Sequence, residues 1–211
     1  MPIDITPYLD PQTCAVLNLE CQENLLGPTS VIPGLALAAE KIGLVDNVAT
    51  LLDAGRRVGA RIFYCADTRR FGDPSTEPGA SVQVGGGIGV RGRDWSDGHG
   101  AIVAALTPHD GDVVVTRERG MTGFYTTGLD DHLRAAGVKT LIITGVSFNI
   151  AVLGTTVEAM NLGYQAIVPS DCVASDPPEY AEWGLRYTIR NLALVTESAR
   201  IVEHWQTLPK A

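Results

Sequence analysis

Apolar side chains arrive along the 211-residue chain in two alternating rhythms. Short, nearly unbroken runs suit strands covered on both faces. They recur at 14–20 (CAVLNLE), 60–66 (ARIFYCA), 112–116 (DVVVT), 141–143 (LII), 164–169 (YQAIVP) and 193–196 (ALVT). Between them the spacing changes to three and four residues. Leu44, Val48, Leu51 and Leu52 share one face of a long helical stretch at 35–58, and Ile150, Leu153, Val157 and Met160 share another after residue 149. Further helices are expected at 101–106, 128–136, 179–191 and 197–205. Strand and helix alternate throughout, which predicts a three-layer α/β/α domain around a six-stranded parallel sheet, one domain over residues 1–211. Residues 67–97 have no clear period and are rich in glycine, a composition that fits a lid or an oligomer contact.

The stretch 140–161 organises the rest. Its apolar run turns sharply at Gly145-Val146-Ser147-Phe148-Asn149 and enters a helix for which Asn149 is the expected N-cap. Ala151 then lies in the first helical turn, where free N–H groups and the helix dipole favour developing negative charge. Ligands of open α/β sheets bind at the carboxyl ends of the strands. Here those ends bring Glu20, Asp67, Arg117, the 146–149 turn and Asp171 to one edge. A guanidinium beside Glu20 favours its ionised form and desolvation opposes it, so sequence leaves the protonation open. A structural ion pair under a loop is the alternative to a functional one.

Composition narrows the partners. A net charge of −8 with scattered basic residues argues against a nucleic-acid surface. No apolar run approaches the ~20 residues of a membrane span. The start, MPIDITPYLD, has neither a basic beginning nor an apolar core, so no signal peptide is expected and the cytoplasm is. Cys14, Cys21, Cys65 and Cys172 lack metal-type spacing and read as reduced, core-filling thiols. The four histidines, His99, His109, His132 and His204, have no ligand spacing with one another, so no metal and no cofactor is expected. The glycine run 84–89 is not followed by a helical pattern, which removes a phosphate loop.

Four stretches, in order, carry a family resemblance: AVLNLECQENLL, GDVVVTRERGMTGFYTTGLDDHLRAAG, TLIITGVSFNIAVLGTTVEAMNLGY and IVPSDCVAS. Together they resemble the isochorismatase-like hydrolases, whose Rossmann-like fold would cover residues from about 13 to 202. The amidases of that family use an Asp–Lys–Cys triad in which the cysteine attacks the carbonyl and the aspartate shuttles the proton. Carried over, the aspartate falls on Glu20, the lysine on Arg117 (or, counting back from Phe124, on Glu118) and the cysteine on Ala151. All three positions differ from the family, and Ala151 forms no thioester. Cys21 points away from Glu20 along a strand and is a poor substitute. The resemblance also implies a cis peptide at Val146–Ser147 and an oxyanion hole made by the backbone of Val146, Ser147, Ile150 and Ala151. Where the family's nicotinamidases bind metal through Asp-x-His, this chain has Asp67-Thr68-Arg69.

Two functions follow. The first is hydrolysis of a small organic substrate without a cysteine nucleophile. Glu20 is then the general acid/base, Arg117 its electrostatic partner, and Asp67, Trp95, Phe124, Tyr125 and Phe148 line the substrate pocket. The isochorismatases proper, which also lack the cysteine, are the family precedent. The second is a binding module of the same fold that has lost its chemistry. A lesser alternative is an amidase carrying a Cys-to-Ala change at 151. Phe124 and Phe148 read more readily as plain packing than as pocket wall. The resemblance further implies a homo-oligomer, dimer or tetramer, with exposed aliphatics at 133–138 and 155–162 as candidate interface.

Overall fold

The computed structural model describes residues 3–68, 100–118 and 120–211. Trp95 and most of the glycine-rich stretch lie outside the described residues. Six strands, β1 (Cys14–Leu19), β2 (Arg61–Asp67), β3 (Val113–Arg117), β4 (Thr140–Gly145), β5 (Gln165–Pro169) and β6 (Leu194–Thr196), form one sheet in the order β3-β2-β1-β4-β5-β6. Every pairing is parallel. The chain builds outward from β1 to β3, then returns to set β4 beside β1 and builds the other way. The order therefore reverses between β1 and β4, where such sheets open a crevice at their carboxyl edge. These two strands are buried at every residue, as their continuous apolar runs require.

Helices cover both faces. One face buries Val16, Ile62 and Ile142 under α2 (Pro33–Lys41), α3 (Leu44–Arg57) and α7 (Ser198–Gln206), with Trp205 wholly buried and its indole N–H donating to the Leu9 carbonyl at 2.9 Å. The other face buries Leu17, Phe63 and Ile143 under α4 (Leu129–Ala135), α5 (Leu153–Asn161) and α6 (Pro178–Tyr187). A one-turn helix, α1 (Glu23–Leu26), follows β1.

Three local expectations need correction. The helical stretch 35–58 is two helices, α2 and α3, broken where Gly43 takes a left-handed φ of 64°. The 101–106 helix is only a 3-10 turn, Ala104–Leu106. Asn149 is no N-cap: it sits inside a π-helical turn, Phe148–Val152, that precedes α5, and its Oδ1 is buried without a hydrogen-bond partner among the described residues. That wide turn adds a residue to the helical repeat and rotates the face that follows. As a result Thr155, Thr156 and Ala159 are buried in α5, while Val157 and Met160 are exposed. The threonines keep their hydroxyls satisfied: Thr156 donates to the Val152 carbonyl at 2.7 Å, and Thr155 accepts from the Gly123 N–H at 2.9 Å.

Candidate active site

β2 and β3 end in register, Asp67 beside Arg117, with both side chains on the face that carries Cys65 and Val115. Glu20 follows β1, one strand further away. Its backbone is left-handed, with φ 52°, an uncommon conformation for a residue with a side chain, and it leaves the pleat there. Spanning β2 from β1 to β3 means crossing about 10 Å of sheet. Two long side chains meet that distance: Arg117 Nη2 donates to Glu20 Oε1 at 2.5 Å and lies 3.4 Å from Asp67 Oδ2. The three groups are 8%, 2% and 3% exposed for Glu20, Arg117 and Asp67. Burial works against the charge of Arg117, but the carboxylates of Glu20 and Asp67 outweigh it and hold the guanidinium above its ordinary range. Its Nε is buried and has no hydrogen-bond partner among the described residues.

Gln22 escaped sequence reading. Wholly buried, its Oε1 accepts from the Asp67 N–H at 2.7 Å, and its Nε2 donates to the Asp67 carbonyl at 2.9 Å and to the Gly100 carbonyl at 2.6 Å. It ties the end of β1 to the end of β2 and to the chain returning at 100–103, where Gln22 also bridges Ile102. The signal was a polar residue just past a buried strand, but its partners are backbone groups far along the chain.

On the β4 side the site is made of backbone. Gly145 has φ 105°, and a Cβ there would collide with the Leu19 carbonyl. The Val146–Ser147 peptide is cis. Of the four backbone groups expected in an oxyanion hole, two are already engaged: the Val146 N–H donates to the Leu19 carbonyl at 2.9 Å and the Ile150 N–H to the Ser147 carbonyl at 3.3 Å. Val146 and Ile150 therefore leave the set, and Ser147 and Ala151 remain. Ala151 is buried at the mouth of the turn, on the helix that also presents Thr155. The loop at Gly123 passes so close over the strand ends that a Cβ would stand 3.2 Å from Cys65 Sγ and from Leu19 Cδ2.

The described aromatic residues that were expected to line a pocket, Phe124, Tyr125 and Phe148, have other surroundings. Phe148 is wholly buried, edge-on to Tyr180 at 6.2 Å and pressed on Gly184. Phe124 is half-buried and stacks on Tyr164 at 6.1 Å. Tyr125 points to solvent. Asp67 is a second carboxylate on Arg117. Asp171 is not at the crevice; it caps α7, accepting from the Ser198 N–H at 2.8 Å and the Ser198 hydroxyl at 2.6 Å. Cys21 is buried on the opposite face of the sheet, and desolvation pushes its thiol far up. Beside Glu20 the described residues, Asn18, Tyr64 and Ile102 among them, leave only a narrow gap with no room for a water molecule. Larger cavities of about 630 and 610 Å³ lie elsewhere, over α2 and beside the edge strand β3. Among the described residues no group of three His, Cys, Asp or Glu side chains is placed to hold a metal ion, and no helix is long and apolar enough to cross a membrane.

A doubly wound sheet with an acid, a guanidinium and a helix mouth at its switch point defines a class of α/β enzymes, and comparison makes the class specific. The isochorismatase domain matches residues 14–200, and the chain belongs to that family. It is 29% identical over 171 residues to the uncharacterized isochorismatase family protein YwoC of Bacillus subtilis, covering 81% of this chain and 88% of that one. It is 41% identical over 87 residues to the ureidoacrylate amidohydrolase RutB of Methylorubrum extorquens, covering 41% of this chain and 35% of that one. The crystal structure of a cysteine hydrolase from Pseudomonas syringae shares the fold with a TM-score of 0.77, at 22% identity, over 95% of both chains.

Proposed function

We propose that this chain hydrolyses a small amide, ureide or related carbonyl compound without a covalent enzyme intermediate, with Glu20 as general acid/base. The observation that carries the reading is the buried Glu20–Arg117 pair, 2.5 Å apart, at the switch point of the sheet. A carboxylate accepting from a guanidinium is held as the anion, so the first proton moves toward Glu20. Water forms its bond to the carbonyl carbon and gives a proton to Glu20, while the carbonyl electron pair moves onto oxygen. That oxygen faces the N–H groups of Ser147 and Ala151. Collapse breaks the bond to the leaving nitrogen, which takes the proton back from Glu20. The Nε–H of Arg117, which has no partner among the described residues, is a donor for a substrate oxygen. Likeness to an amidohydrolase supports the carbonyl class. Protonating a vinyl ether instead needs a neutral Glu20, which Arg117 disfavours.

A second reading, a binding module without turnover, is favoured by the close packing at Glu20, where the described residues leave no room for a water molecule. One experiment separates the two. Amides, ureides, esters and vinyl ethers are screened with the parent chain and with Glu20→Gln. Turnover that drops by about 100-fold or more in the variant supports Glu20 as the proton shuttle. Equal turnover in both removes Glu20 from the chemistry. Calorimetric binding with no turnover of any class leaves the binding module.

A further inference from the structure

The sheet has two edges, and the chain treats them differently. β6 is three residues long and none of it is exposed. β3 is five residues long, Val113–Arg117, and carries no proline, lysine or bulge. Val114 is 45% exposed and Thr116 is exposed beside it. Folded proteins normally blunt such an edge, because its free main chain templates another strand. Among the described residues no strand pairs the outer side of β3.

The ladder says which groups are on offer. Along a parallel strand, successive residues turn N–H and C=O together to alternate sides. The Thr68 N–H donates to the Arg117 carbonyl at 2.9 Å, so Arg117, Val115 and Val113 face β2. Val114 and Thr116 therefore face outward, and among the described residues their main-chain groups have no hydrogen-bond partner. Two donors and two acceptors stand about 7 Å apart, the two-residue repeat of an incoming strand. A cavity of about 610 Å³ opens alongside, lined by Thr116, Glu118, Thr126, Thr127 and His132 among others. Thr126 holds a left-handed φ of 59° there, rare for a β-branched residue. Glu118 is exposed and forms no ion pair among the described residues. Every second side chain of an added strand points to the same face, so one that enters this cavity meets a carboxylate. The net charge of −8 draws basic segments to the chain and repels acidic ones.

We propose that the outer edge of β3 docks an extended, basic segment of another protein, which pairs with Val114 and Thr116 and places a lysine or arginine in the cavity against Glu118. Main-chain bonds supply the hold, and the cavity selects the side chain. The same strand ends in Arg117, so an added strand steadies the element that carries the guanidinium to Glu20.

Fluorescence anisotropy is read with labelled, end-capped peptides of sequence Thr-Val-Xaa-Val-Thr-Val, where Xaa is lysine, arginine, glutamine or glutamate. Two further lysine peptides are N-methylated at odd or at even amides, so that one of them loses the donors that face β3. The variants are Glu118→Lys and Thr116→Pro, the latter removing an outward N–H at an edge position that tolerates proline. Circular dichroism checks that both are folded. The expected result is saturable binding of the lysine and arginine peptides to the parent, with the glutamate peptide about fivefold weaker or worse. Thr116→Pro and one N-methylated peptide should each weaken binding about tenfold, and Glu118→Lys should reverse the charge preference. No saturable binding of any peptide overturns the proposal. So does binding indifferent to Thr116→Pro or to both N-methylated peptides, or an affinity order indifferent to charge. A parent dimer in sedimentation that Thr116→Pro dissociates also overturns it, since a second copy would then occupy the edge.

Discussion

The two halves of the crevice are made of different material. Around β1, β2 and β3 the site is a set of side chains, with Arg117 between two buried carboxylates and Gln22 clamping the strand ends beneath. Around β4 it is a set of backbone angles: a left-handed Gly145, a cis peptide and a π-helical turn, with an alanine where the resemblance places a nucleophile. Side chains can be exchanged for others of like charge while the sheet stays as it is. Backbone angles are fixed by close approach and admit little exchange. The resemblance puts the family's acid and base at Glu20 and Arg117, in the side-chain half, and its nucleophile at Ala151, in the β4 half. Glu20 and Arg117 depend on each other's length: together they bridge the width of β2, so shortening either alone would break the contact.

The largest effect should come from removing the cation. Arg117→Leu takes the guanidinium from between Glu20 and Asp67, all three buried. Breaking a buried charge pair from one side typically costs about 3–5 kcal/mol, and the unfolding midpoint in urea should fall accordingly. Arg117→Lys restores the charge but not the geometry of the fork and should recover part of the loss. A stability equal to that of the parent in Arg117→Leu would mean that this half is held by something other than its ion pairs.

Next comes the backbone half. Gly145→Ala puts a methyl into the Leu19 carbonyl at a residue with φ 105°. Strain and collision act together on the central β1–β4 pairing, and a loss of about 3 kcal/mol is expected in the same urea titration. Half-buried, left-handed Gly43 has no described atom within 4 Å of a Cβ. Gly43→Ala should cost only about 1 kcal/mol, which isolates the collision from the strain.

The same division explains what could be read in advance. Strand positions follow from apolar runs, and the ends of β1 and β3 placed Glu20 and Arg117 at one edge without coordinates. The face of α5 could not be read, because a π-helical turn shifts the repeat by a residue and leaves no mark in hydrophobic spacing. Gln22 was hidden because it bonds main-chain groups of residues 67 and 100, which no side-chain pattern encodes. Phe148 reads more readily as core than as pocket wall, and the close contact with Gly184 decides for core. Val146 and Ile150 looked available as donors until their carbonyl partners could be seen.

The smallest change in stability, and the sharpest test of the backbone half, is Ala151→Cys. The parent provides a silent background. All four native cysteines are reduced and buried. Burial raises the Cys14 thiol to about 12 and pushes Cys21, Cys65 and Cys172 higher still. Such groups stay protonated in the folded chain while the unfolded chain ionises near 9. They therefore stabilise fully below that pH, and their contribution fades as pH rises toward 12. At neutral pH the native parent should take up no iodoacetamide and the unfolded chain should take up four. A thiol introduced at residue 151 lies in the first turn of a helix, where the N-terminal dipole lowers its pKa. One added alkylation, read by intact mass and already near its plateau rate below pH 8.5, is the expected outcome, accompanied by an acyl adduct with an activated amide. A variant that stays as silent as the parent would show that the mouth of the turn is sealed. The half of the crevice made of backbone would then be a relic of shape without access.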